Sequence, residues 1–245
     1  MIGFIDSGVG GLNVLIETYK LFNDDFVYLC DNKNAPYGNK SPKKLIKITR
    51  QNIDYLIKQF DVDIIVLACN TLSFCVYEEI VKEYKIKIIP LEFDEKCLDR
   101  LNKPVLFFAT HNTIKHNKKI QKNIKNNNAL SLSIKNLPKK IDDNLFNLES
   151  IEKILNRHFK SKKMKEIKSV VLGCTHYLTI KNMLKKYFCD DVVFYDNVYN
   201  LANKLKSIVV AKNSKSFHIV LTNYDYPKYV EFKTYVYRNL RDRLT

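Results

Sequence analysis

Asp63-Ile-Ile-Val-Leu-Ala-Cys-Asn-Thr71 and Ser169-Val-Val-Leu-Gly-Cys-Thr-His176 are the two stretches on which the fold of this chain turns. In each, a short β-branched apolar run stops at a cysteine, Cys69 or Cys174, followed by small polar residues and then by a helical pattern. A run of that kind reads as a strand buried on both faces. Each thiol is therefore predicted at the carboxyl end of a strand, the edge of an open α/β sheet where ligands bind. One such thiol could be chance. Two in matching contexts point to a paired site.

Outward from these stretches, strand and helix patterns alternate. Ile2–Asp6, Phe26–Asp31, Asp63–Ala68 and Ile86–Pro90 read as strands. Between them lie helical patterns over Gly11–Phe22, from the Ser41-Pro42 cap signal to about Phe60, and over Ser73–Tyr84. A second series has strands at Val105–Ala109, Leu130–Lys135, Val170–Gly173 and Val192–Tyr195. Its helices are predicted at Thr113–Lys125, Asn147–Phe159 and Ile180–Phe188. The chain closes on a helix near Leu201–Val210, a strand over Phe217–Thr222 and a helix near Tyr229–Leu240. The alternation implies mostly parallel sheets covered by helices. The matching thiol segments suggest two α/β units facing each other across a cleft, and the plainer alternative is one doubly wound domain.

Composition narrows the function classes. With 245 residues and 46% hydrophobic content the chain has ample core and is not disordered. No apolar stretch is long enough to span a bilayer, and no basic leader precedes Ile2, so the expected compartment is the cytoplasm. There the six cysteines would be reduced, and none forms a C-x-x-C pair. The formal charge of +15 is carried almost wholly by Lys, Arg standing only at positions 50, 100, 157, 238, 241 and 243. Arg carries base readout, so this bias fits solvated helix faces and an AT-rich coding sequence better than a specific nucleic-acid groove.

Three polar segments can carry chemistry. Asp6-Ser-Gly-Val-Gly-Gly11 joins a strand to a helix, where glycines admit a ligand to the backbone. A dinucleotide fingerprint fails there, because Asn13 stands at its third glycine position and Asp6 would face a pyrophosphate. Cys69-Asn-Thr71 and Cys174-Thr-His176 each place a thiol at a helix start, whose dipole favours thiolate. Asn70, Thr71 and Thr175 can hydrogen-bond a carboxylate or an ammonium group, and His176 can exchange protons near neutral pH. Hydroxyl and amide neighbours do not make a metal site, and a Cys/His hydrolase would leave one thiol unused. Inverting a stereocentre needs a base on one face of a carbon and an acid on the other, which two facing thiols supply. The plainer readings make Asp6 and Ser7 helix caps, Tyr37 a packing residue and His176 a neutral hydrogen-bonded histidine.

Phe4-Ile-Asp-Ser-Gly-Val-Gly-Gly-Leu12, Ala35-Pro-Tyr-Gly38, Ala68-Cys-Asn-Thr71 and Gly173-Cys-Thr-His-Tyr177, in this order and spacing, closely resemble the glutamate racemases of the aspartate/glutamate racemase superfamily. The resemblance implies two similar three-layer α/β domains, 1–92 plus 207–245 and 93–206, with the active site in the cleft between them. It makes Cys69 and Cys174 the acid/base thiols, with Asp6 and His176 assisting them respectively. It assigns substrate contacts to Asp6, Ser7, Tyr37, Gly38, Asn70, Thr71, Thr175 and His176. It further implies glutamate as substrate, D-glutamate for peptidoglycan as product, no pyridoxal phosphate, no metal and a homodimer. The chain departs from the family pattern at Asn13, Leu72, Leu178 and Phe108-Ala-Thr110. The family's stretch leading to an acidic residue has its nearest candidate in Asn136–Asp143. The alternatives are a racemase of aspartate or another amino acid, a single-thiol decarboxylase that the second cysteine disfavours, and a non-catalytic polyanion-binding protein.

Overall fold

Among the described residues, nine strands form two sheets in which every pairing is parallel. The computed structural model describes residues 1–21, 23–126, 129–209, 216–223, 230–231, 234–235 and 237–238. The first sheet contains β1 (Ile2–Asp6), β2 (Phe26–Cys30), β3 (Ile64–Leu67), β4 (Lys87–Pro90) and β9 (Phe217–Leu221), in the order β4-β3-β1-β2-β9. The second contains β5 (Val105–Ala109), β6 (Ala129–Leu132), β7 (Ser169–Gly173) and β8 (Val193–Tyr195), in the order β6-β5-β7-β8. The mixed α/β class with two parallel sheets is the one the sequence predicts.

The central strands of both sheets are buried on both faces, which is why they read as continuous apolar runs rather than alternating ones. In the first sheet Phe4, Phe26, Tyr28 and Val66 pack on one side with α1 (Gly11–Tyr19), and Ile5, Val27, Leu29 and Leu67 on the other with α2 (Pro42–Phe60). In the second, Leu106, Phe108, Val170 and Leu172 share one cluster, and Val105, Phe107 and Val171 another. Successive residues point to opposite faces, so each short strand contributes to two clusters. Burying each such Leu, Ile or Phe side chain contributes about 1.5–3 kcal/mol.

Helix α2 shows how local signals set an element. The Ser41 side chain accepts from the Lys44 N–H, Pro42 occupies the first turn, and the helix stops where Asp61 turns left-handed at φ 48. Its buried stripe is Leu45, Ile48, Thr49, Asn52, Ile53 and Leu56, the spacing of one helical face.

Other elements differ from the sequence expectation. The helix predicted over Ser73–Tyr84 is two short ones, α3 (Asn70–Cys75) and α4 (Tyr77–Ile80), separated where Val76 leaves helical geometry at φ −132. Ser73 pins this corner, donating to the Leu67 and Cys69 carbonyls and accepting from the Leu91 N–H. After α5 (Glu95–Asp99), the helix predicted over Thr113–Lys125 is also two, α6 (His111–His116) and α7 (Lys118–Lys125). Asn117 divides them because its side chain caps the Ile120 N–H at 3.0 Å, a position Asn prefers to a helix interior.

The sequence reading missed α8 (Leu137–Asp142), which a left-handed Asn136 and Pro138 introduce. Helix α9 (Glu149–Phe159) follows, and α10 (His176–Thr179) and α11 (Lys181–Lys185) lie after β7. Helix α12 (Val198–Lys206) lays Val198, Leu201 and Leu205 in the same cluster as β1 and α1. Strand β9 then pairs with β2, so the late chain returns to the first sheet. The closing helix expected near Tyr229–Leu240 falls mainly outside the described residues. Among the described residues no helix is long and apolar enough to cross a membrane.

Candidate active site

The carboxyl ends of β1, β3, β5 and β7 deliver Asp6, Cys69, Thr110 and Cys174. Strands β1 and β3 are neighbours, with Ile5 opposite Leu67, so Asp6 and Cys69 leave the first sheet side by side. Both thiols are nearly buried, Cys69 at 7% and Cys174 at 6% exposure. They are close enough for a charge on Cys174 to raise the pKa of Cys69.

Asp6 is fully buried and organises the first loop. One carboxylate oxygen accepts from the Ser7 N–H at 2.7 Å, and the other from the Gly11 N–H at 2.5 Å and the Thr175 hydroxyl at 3.3 Å. It is also close enough to Cys69 for each group to perturb the other's ionisation. Burial raises the Asp6 pKa against the opposing pull of His176 and the Ser7 N–H. Burial, then Asp6, push the Cys69 thiol well up, partly offset by the Leu72 N–H. The thiolate-favouring dipole expected from the sequence is thus overridden at Cys69. Helix α3 is only six residues long and the group is desolvated, so burial outweighs it.

The Cys174 side is built differently. Its sulfur lies 3.9 Å from His176 Nδ1, and His176 Nε2 lies 3.0 Å from an Asp142 carboxylate oxygen. The same oxygen accepts from the Val9 N–H at 3.0 Å. Burial alone pulls the imidazolium pKa down, but Asp142, Cys174 and Asp6 together hold it well above its ordinary value. Its pairing with Asp142 favours the charged form of His176 over the neutral one of the plainer reading. Asp142 lies in Asn136–Asp143, the stretch that the resemblance offers for the family's acidic residue, but without α8 the sequence does not choose between Asp142 and Asp143. The signal that could have found it is Asn136-Leu-Pro138, a helix-start pattern, with Leu137 and Ile141 repeating at i, i+4.

The glycines of the first loop allow this meeting. Among the described residues no glycine has positive φ, so the need is for close approach rather than for a special backbone conformation. A Cβ on Gly8 would run into the Asp142 carboxylate and the His176 ring, and one on Gly10 would come within 2.5 Å of the His176 backbone nitrogen. Asn13 fastens the same contact, donating to the Gly10 carbonyl at 3.1 Å and the Thr175 carbonyl at 3.2 Å.

The remaining predicted residues fall around this centre. Thr71 shares a hydrogen bond with Thr110 at 2.9 Å, and Thr110 with Thr113 at 2.9 Å. Asn70 is buried, with its carbonyl oxygen occupied by Asn197 and its Nδ2 unpartnered. Ser7 is buried beside Asp6. Gly38 abuts Thr110, where a Cβ would come within 2.9 Å of the Thr110 Cβ. The Tyr37 ring lies in the first sheet's core and its hydroxyl donates to Asp31 at 2.5 Å. Asn34, Asn52 and Thr222 also donate to Asp31, which ties the 32–38 loop to α2 and to the residue after β9. The Tyr37 phenol therefore serves the fold, and Asn112 holds the Tyr37 carbonyl at 3.3 Å.

No family model matches the chain. A glutamate racemase from Clostridium novyi (strain NT) is 36% identical over 220 residues, 87% of this chain and 85% of that protein. The solved glutamate racemase from Campylobacter jejuni subsp. jejuni superposes with TM-score 0.78 at 25% identity, over 96% of this chain and 98% of that one. The glutamate racemase from Francisella tularensis, solved in complex with D-glutamate, gives TM-score 0.78 at 26% identity over 98% and 93% of the two chains. An aspartate racemase from Picrophilus torridus gives 0.52 at 18% identity over 84% and 91%, a likeness of fold alone. Two parallel α/β sheets with a thiol at matching strand ends, together with these likenesses, define an amino-acid racemase. Within that class, the chain belongs to the glutamate racemase family.

Proposed function

We propose that the protein interconverts L- and D-glutamate by moving a proton between the α-carbon and two thiols on its opposite faces. The thiolate on one face takes the α-proton as the thiol on the other gives one up. Each turnover therefore leaves the two sulfurs with exchanged protonation, ready for the reverse reaction. The observation that carries this reading is the placing of Cys69 and Cys174 at equivalent strand ends, nearly buried and within electrostatic reach of each other.

Asp6, beside Cys69 at the neighbouring strand end, assists that thiol, and the His176–Asp142 pair assists Cys174. Asn70, Thr71, Thr175, Ser7 and the main chain of Tyr37 and Gly38 surround the substrate's charged groups. The chain is read as two units, 1–92 plus 207–245 and 93–206, with α12 laid on the first. It works in the cytoplasm as a homodimer and supplies D-glutamate for peptidoglycan, the family's role.

The test is incubation of the full chain with each enantiomer of glutamate and aspartate in heavy water, under reducing conditions and without added cofactor. Deuterium is expected at the α-position of glutamate together with inversion. Neither exchange nor inversion of glutamate would refute the reading, and faster inversion of aspartate would transfer it to the other substrate.

A further inference from the structure

Asn197 takes no part in the proton transfers above, yet it is one of the most deeply buried polar residues of the chain, at 1% exposure. It stands between β8 and α12, on the opposite side of the sequence from the residue it touches. Its Nδ2 donates to the Oδ1 of Asn70 at 2.7 Å, across a separation of 127 residues. Asn70 immediately follows Cys69 and is itself 2% exposed.

We propose that Asn197 is a positioning residue that fixes which end of the Asn70 amide meets the substrate. An amide side chain has a carbonyl end that accepts and an NH2 end that donates. With its carbonyl engaged by Asn197, Asn70 has only the NH2 left to offer, and that nitrogen is buried without a partner in the protein. With the Asn197 NH2 directed at it, reversing the Asn70 amide would set NH2 against NH2 at hydrogen-bond distance, so this placing of Asn197 selects one orientation of Asn70. A buried unpaired donor is satisfied by an acceptor and opposed by a cation. Asn70 therefore selects a carboxylate of the substrate and not its ammonium group, which the residue type alone leaves open. The setting also couples the two sheets, because the donor comes from the loop after β8 and the acceptor from the helix after β3.

The inference rests on the racemase reading, and the experiment separates the two. Asn197→Asp places only acceptors at this position, draws the Asn70 NH2 toward itself and turns the Asn70 carbonyl to the substrate. KM for both enantiomers is expected to rise about tenfold or more, with kcat falling less than KM rises. Asn197→Ala leaves Asn70 free to choose its orientation, so the rise is smaller, about threefold. A merely structural role would lower the melting temperature of both variants and leave KM of the folded protein unchanged.

Unchanged KM in folded Asn197→Asp, or equal effects of the Asp and Ala substitutions, would overturn the proposal while the wild type still racemises. If Asn197→Asp does not fold, unchanged KM in folded Asn197→Ala overturns it. If the wild type itself does not racemise glutamate, the functional reading falls. Glutarate binding followed by calorimetry then decides the orientation: weakening of about tenfold in Asn197→Asp sustains it, and equal affinity removes it.

Discussion

Cys69 and Cys174 end equivalent strands of two parallel sheets, yet their surroundings are assembled by different routes. On the Cys69 side the proposed helper is a strand neighbour, because β1 lies beside β3 and ends on Asp6. The equivalent neighbour in the second sheet is β5, which pairs Ala109 with Gly173 and ends without a carboxylate. There the groups proposed to assist are His176, two residues beyond the thiol, and Asp142 on the separate helix α8. Equal places in two sheets do not give equal chemistry. Burial favours the protonated, uncharged forms of Asp6 and Cys69, whereas Asp142 favours the charged form of the His176 ring beside Cys174.

The largest effect is expected from the thiols themselves. Changing either Cys69 or Cys174 to Ser removes one of the two acid/base groups, and turnover should fall by at least about 10³-fold in both directions. Polarimetric assay of both enantiomers checks this, and full activity of either variant would break the pairing.

Asp6→Asn and Asp142→Asn probe the asymmetry, each expected to reduce kcat/KM by about 10²-fold. Enantiomers have equal free energy, so kcat/KM in the two directions must fall together in any variant. The difference appears instead in isotope effects measured with α-deuterated D- and L-glutamate. Each variant slows one proton transfer, so the two substitutions should skew the isotope effects in opposite senses. A skew of the same sense in both would assign both helpers to one thiol.

Removing Asp142 also has a pH signature. The raised pKa of His176 means that its pairing stabilises the fold fully below the ordinary histidine value of 6.5. That contribution is lost as pH rises through the higher folded value. In Asp142→Asn the opposing effect of burial is left larger, so the imidazolium is expected to lose its proton at lower pH than in the wild type. Titration of the His176 ring by NMR measures the displacement.

The loop that joins the two sides offers a smaller perturbation. Gly10→Ala would place a methyl group within 2.5 Å of the His176 backbone nitrogen and force loop and helix apart. A destabilisation of about 1–3 kcal/mol is expected, seen in denaturant unfolding, together with reduced kcat. The smallest effect concerns Tyr177, whose ring stacks on Phe108 at 4.1 Å between centroids while its hydroxyl is buried without a partner. Tyr177→Phe should therefore stabilise the protein by about 1 kcal/mol, a rise of roughly 2–4 °C in melting temperature. A lower melting temperature would show that the hydroxyl has a role in the folded protein.

The elements legible in the chain were those whose signals are local. The runs Ile64–Leu67 and Ser169–Gly173 announced buried strands, and Ser41-Pro42 announced α2. Less legible were the short helices. Asn117 is submerged in a longer helical period, and α8 is only six residues long, so Asn136–Asp143 stands as a candidate stretch with no residue chosen within it.

By itself, the sequence determined the parallel α/β class, the two strand-end thiols and the glycine-rich loop between β1 and α1. Strand period, apolar runs and turn residues act over a few neighbours, so they can be read without the rest of the chain. The tertiary structure decided that Tyr37 turns its hydroxyl to Asp31, that His176 pairs with Asp142, and that Asn70 has its carbonyl taken by Asn197. In each case a residue type allows several partners. Only the docking of the sheets and helices, driven by burial of their apolar faces, leaves one of them within reach.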